Sequence, residues 1–169
     1  MNKTSNTTTT TKTETKKLVT ASLIAAIYTV LTLFANMLGL ASGVIQVRLS
    51  EALTALPLFL PEAIPGLAIG CLISNIVTGC VPIDIIFGTI ATLMGAYGTY
   101  FFRKNKIIAL FCPVISNTVI VPFVLKFAYG IGEAWWYLVL TVGAGEVISC
   151  IVLGGMLIKA LGKHRFFDK

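Results

Sequence analysis

Residues 51–79 read EALTALPLFLPEAIPGLAIGCLISNIVTG, an apolar stretch interrupted by Pro57, Pro61 and Pro65. Each proline removes a backbone donor, and its ring clashes with the preceding turn, so one continuous helix through all three is strongly disfavoured. The stretch therefore splits near 61–62 into a short piece, about 50–60, and a fuller one, about 63–79. The split decides the fold because it sets the parity of the chain. One apolar run, 18–38, comes before it, and runs at about 83–102, 107–126 and 134–160 follow. A run of about 20 residues at ~1.5 Å per residue covers the ~30 Å of hydrocarbon in a bilayer.

The basic residues lie between and beyond these runs. Lys3, Lys12, Lys16 and Lys17 precede the first; Arg103, Lys104 and Lys106 separate two later ones; Lys159, Lys163, Arg165 and Lys169 close the chain. These are 11 of the 13 basic residues, placed where the positive-inside rule puts cytoplasmic loops and tails. A single span at 51–79 would leave the Arg103 cluster outside; two crossings bring it inside. The expected fold is all-α and integral to the membrane: six transmembrane helices, the second short or steeply tilted, with both termini cytoplasmic. A re-entrant hairpin over 50–79 satisfies the parity equally well and stays open.

Composition agrees. Of 169 residues, 56% are hydrophobic and 12% charged, with a mean hydropathy of +0.90; a soluble domain carries about 25% charged residues. The expected organisation is a disordered cytoplasmic tail over 1–17, rich in Thr, Asn, Ser and Lys, a membrane domain over 18–160, and a basic tail over 161–169. The rival reading of the first run as a signal peptide, cleaved near Gly39 and Ala41, fails on its length. The net charge of +6 is topological, not a nucleic-acid groove.

No HExxH, GxSxG or Walker lysine loop occurs, so no metal, cofactor or catalytic constellation is expected. Cys71, Cys80, Cys112 and Cys150 lack CxxC spacing and read as buried thiols, and His164 reads as solvated in the basic tail. A transporter of this size without a nucleotide site uses a gradient or borrows ATP hydrolysis from partners.

A polar side chain inside a bilayer is costly and marks a functional candidate. The expected topology places Asn36, Arg48, Glu51, Asn75 and Asp84 towards the outer face, with Asn117 and Glu146 near the middle of their helices. Together they suggest a pocket open to the outside; the alternative is separate helix caps and interhelical hydrogen bonds. Arg48 and Glu51 either pair across one helix face or close over a ligand. Trp135 and Trp136 fit an outer aromatic belt and are candidates to stack on a flat ligand. Ala21 and Ala25 form a small-xxx-small strip, suited to close approach of another helix, internal or foreign.

Several longer motifs carry a resemblance. VRLSEALT (47–54), IPGLAIGCLISNIVTG (64–79), DIIFGTIATLMGAY (84–97) and SNTVIVPFVLKFAYG (116–130) resemble the queuosine-precursor transporter (QueT) family, over roughly 18–160. The resemblance implies a bacterial, multi-pass cell-membrane protein acting as the substrate-capture component of an energy-coupling-factor importer. It implies no enzymatic activity of its own. It further implies a 7-deazaguanine base as substrate, and delivery by toppling when docked through Ala21 and Ala25 on a transmembrane coupling subunit driven by two ATPase subunits. The ligand contacts proposed from depth and chemistry are Glu146, Asn117, Asn75, Glu51, Arg48, Asp84, Asn36, Trp135 and Trp136. A carboxylate accepts a guanine-like pair of adjacent N–H donors, and the amides read the remaining edge.

Overall fold

The computed structural model describes residues 3–40 and 46–163. Helices α1 (Lys3–Met37), α2 (Ala63–Val77), α3 (Pro82–Phe101) and α4 (Lys106–Phe127) are followed by one continuous C-terminal rod. The rod comprises α5 (Trp135–Glu146), a π-helical segment (Val147–Leu153) and α6 (Gly154–Lys163). Among the described residues there is no strand. Among the described residues, three stretches are long and apolar enough to cross a membrane: Thr13–Met37, Lys106–Phe127 and Trp135–Gly162. Apolar side chains such as Val30, Phe34, Met94, Phe111 and Leu140 lie exposed on the bundle's outer surface, as hydrocarbon contact requires.

The proline-punctuated stretch breaks where expected. Its first piece is a 3₁₀ helix, Leu49–Leu58, with Pro57 inside it, and α2 starts at Ala63 with Pro65 in its first turn, where a missing N–H is harmless. At about 2 Å per residue, ten residues of 3₁₀ helix span about 20 Å, short of the hydrocarbon thickness. This helix is not peripheral. It packs against α1, α2, α3, α4, the π segment and α6, and it buries Ser50, Glu51, Leu53, Thr54, Ala55 and Pro57. The bundle is wrapped around this short element.

The 1–17 tail expected to lack structure continues α1 back to Lys3. Its described side chains, Thr13 to Lys17, are exposed and bury nothing. Adding residues to a helix already nucleated by packing costs little, and Lys17 pairs with Glu14 at 2.9 Å along the surface. The helix of the expected C-terminal tail reaches Lys163; Arg165 and Lys169 lie outside the described residues, as do His164 and Ala41.

The small-residue strip of α1 faces inward. Ala21 and Ala25 are buried against Gly66 and Gly70 of α2. A Cβ added at Gly66 would sit 2.6 Å from the Ala21 carbonyl, and one at Gly70 would sit 2.7 Å from Tyr28 Cβ and 2.9 Å from the Ala25 carbonyl. An Ala-xxx-Ala strip thus meets a Gly-xxx-Gly strip, the close backbone contact that small residues permit.

Candidate ligand pocket

At one end of the bundle α1, α2 and α4 finish, while α3 and the 3₁₀ helix begin. Between them lies a polar cavity of about 360 Å³, at the small end of the range for small-molecule sites. Asn36, Arg48, Asn75 and Asp84 line it, together with Thr32, Ser50 and Tyr129. Four of the residues expected from sequence are therefore brought together here.

The wall is organised by hydrogen bonds. Tyr129 Oη donates to Asp84 Oδ2 at 2.8 Å and accepts from the Val81 N–H at 3.4 Å, so it bridges the end of α4 to the start of α3. Partial burial first, and then its bond to the Asp84 carboxylate, hold the Tyr129 phenol above the ordinary tyrosine range, so it remains a donor. Thr32 Oγ1 donates to Ser50 Oγ at 2.8 Å. Asn75 Nδ2 donates to Cys71 Sγ at 3.6 Å. On the other side, the Arg48 N–H donates to Ser149 Oγ at 3.1 Å, and Ser149 donates to the Gly145 carbonyl at 2.9 Å. Gly145 has no room for a side chain, since a Cβ there would overlap the Gln46 carbonyl oxygen at 2.1 Å. The segment entering the 3₁₀ helix thus lies flat on the last helix, and that contact positions Arg48 at the cavity.

Glu51, Asn117 and Glu146 do not line the cavity. They lie in a buried layer with exposures of 0%, 0% and 4%. Tyr28 Oη makes a short hydrogen bond to Glu51 Oε1, and Thr92 Oγ1 donates to the same oxygen at 3.3 Å. Cys150 Sγ donates to Glu146 Oε2 at 3.3 Å. The Glu51 and Glu146 carboxylates and the Cys150 sulfur each place a ligand atom within 4.8 Å of the others, and Arg48 is electrostatically coupled to both carboxylates. Glu51 Oε2 and both amide atoms of Asn117 have no partner at hydrogen-bonding geometry, although the Asn117 side chain faces Glu146.

Trp135 and Trp136 are 37% and 64% exposed and do not line the cavity. Trp135 packs edge-on against Phe123, with ring centroids 4.2 Å apart, on the outward side of α4. Their position along the helix axis is that of the cavity, but their direction around the axis is not. Tyr129, which sequence reasoning did not single out, supplies an aromatic ring there instead. Its signal lay in the FAYG that ends the 116–130 motif.

With this geometry in place, the comparisons with known proteins are specific. The model of the QueT transporter family matches residues 18–163. The chain belongs to the QueT transporter family. A curated relative, the queuosine precursor transporter QueT of Lactococcus lactis subsp. cremoris (strain MG1363), is 33% identical over 96 residues, which is 56% of this chain and 56% of the relative. The alignment thus spans about half of each protein. No solved structure matches the chain significantly. The family is one of transporters, not enzymes.

Proposed function

We propose that this chain is the membrane subunit that captures a queuosine precursor, a 7-deazaguanine base, at the outer face of a bacterial cell for import. The observation that carries this reading is the polar cavity, in a chain otherwise surfaced for lipid, at the end of the bundle opposite Arg103, Lys104 and Lys106. With that basic loop cytoplasmic, the cavity opens outward and both termini lie inside. The 3₁₀ helix and α2 then act as the second and third of six segments, the second not crossing the full hydrocarbon thickness by itself.

Asp84 is the carboxylate suited to the adjacent N–H donors of a guanine-like edge, because it is in the lining and Tyr129 occupies only one of its oxygens. Asn75 beside it reads a carbonyl or ring nitrogen, and Asn36 and Arg48 complete the polar wall. Glu51, Asn117 and Glu146 support Arg48 from beneath. ATP hydrolysis belongs to partners, a coupling subunit and two ATPases of an energy-coupling-factor module. Docking through Ala21 and Ala25 would require α1 to part from α2, so the surface for a coupling subunit is better sought on the exposed face of α1 that carries Ser22 and Ala26.

Calorimetry of the purified chain with 7-deazaguanine bases tests the reading. One-to-one saturable binding is expected, and Asp84→Asn should weaken it by about 10- to 150-fold, the equivalent of a charged hydrogen bond worth roughly 1.5–3 kcal/mol. Absence of binding to every such base, in protein that is folded and monodisperse, rejects it.

A further inference from the structure

Below the cavity, where the 3₁₀ helix meets the π-helical segment, acidic side chains outnumber basic ones. Glu51 and Glu146 bring two carboxylates close together, both buried, and Arg48 supplies one compensating charge. We propose that this cluster is a binding site for a single desolvated monovalent hard cation of sodium size, held by Glu51 Oε2, a Glu146 carboxylate oxygen and Asn117 Oδ1.

Asn117 provides the independent reason. It is neutral and 0% exposed, and neither its carbonyl oxygen nor its amino group has a partner at hydrogen-bonding geometry, although its side chain interacts with Glu146. Buried polar atoms are nearly always satisfied, and two unpartnered buried oxygens, Glu51 Oε2 and Asn117 Oδ1, beside one dicarboxylate site call for one bound species that accepts their lone pairs. A hard cation sits roughly 2.3–2.6 Å from its oxygens, so two oxygens of one shell lie at most about 5 Å apart; Glu51 and Glu146 each place a carboxylate oxygen within 4.8 Å of the other.

The choice of cation follows from chemistry. The Cys150 sulfur donates to Glu146 Oε2, so it acts as a thiol that orients the carboxylate, not as the thiolate a soft metal would recruit. A divalent ion needs six or more oxygens or retained waters, more than this closed layer offers. With both carboxyls ionised, the pair exceeds the one guanidinium of Arg48 by one negative charge, which one monovalent ion balances. Such an ion would hold the 3₁₀ helix against the last helix, and through Arg48 it would brace the cavity wall.

The test uses the full chain in detergent with sodium chloride as the probe, against choline chloride at equal ionic strength and without any deazapurine. The unfolding midpoint is expected to rise saturably with sodium, by roughly 5–10 °C at about a hundredfold excess over half-saturation. That rise should vanish in Glu146→Gln. Equal midpoints in the two salts overturn the proposal, and so does an undiminished sodium response in Glu146→Gln. If Glu146→Gln does not yield folded protein, Asn117→Ala, which removes only a neutral amide, decides the location by the same two outcomes. Because no base is present, failure here leaves the capture reading standing, and failure of base binding leaves this one standing.

Discussion

At the scale of single residues, the cavity turns on Asp84 and the phenol that holds it. Tyr129 spends one hydrogen bond on fixing Asp84 Oδ2, which under the proposed function leaves Oδ1 to the ligand. Tyr129→Phe keeps the ring and removes the hydroxyl, so Asp84 loses its orientation but not its charge. Affinity for a 7-deazaguanine base should fall about three- to tenfold, less than for Asp84→Asn, because the residue is partly exposed and water can replace the donor. Calorimetry on both variants checks the order; a larger loss in Tyr129→Phe would mean that the phenol itself touches the ligand. The depth of these groups was legible in the sequence, since span ends and turn residues place Asn36, Asn75 and Asp84 at one end of the bundle. Their direction around each helix was not. Glu146 and Asn117 share an axial level that depth reasoning finds, yet they point into a layer beneath the cavity. Trp135 and Trp136 sit at the right level and face away.

At the scale of elements, the Ala21–Ala25 strip shows what spacing can and cannot say. Small residues four apart announce close helix contact but carry no mark of which helix arrives. The partner, Gly66 and Gly70, lies some forty residues along in the same chain, and only the packed structure sets that register. The consequence is testable. Gly70→Ala would bring a methyl to 2.7 Å from Tyr28 Cβ and 2.9 Å from the Ala25 carbonyl, forcing α1 and α2 apart and displacing the Tyr28 hydroxyl that Glu51 accepts from. Overpacking of this kind costs about 1–3 kcal/mol, so thermal unfolding in detergent should show a lowered midpoint, with base binding weakened as well. A variant with unchanged stability that loses only transport would instead return the strip to a docking role. The prolines were more informative than the alanines. Pro57, Pro61 and Pro65 fixed the break between the 3₁₀ helix and α2, because a missing N–H is a purely local constraint. The 3₁₀ form and its central position were not local facts, since they depend on six neighbouring elements closing around it.

At the scale of the whole molecule, the proposed orientation rests on the distribution of charge, and orientation decides whether the cavity meets the outside. Arg103 and Lys104 sit in the loop between α3 and α4, and Lys106 opens α4, at the far end from the cavity, whereas Gly132 lies in the exposed segment after α4, at the cavity end. Asn105 is a poor place for a probe, because its side chain caps α4 by accepting from the Ile107 and Ile108 N–H groups, and loss of such a cap costs about 0.5–2 kcal/mol. Lys104 is exposed and makes no such contact, and two basic neighbours keep the loop's charge. In a background lacking the four native cysteines, Lys104→Cys should therefore resist a membrane-impermeant thiol reagent in intact cells and react once the cells are opened, while Gly132→Cys should react in both. Labelling of Lys104→Cys in intact cells would invert the molecule. The cavity would then face the cytoplasm, and a subunit that captures its ligand from outside could not be built on this pocket.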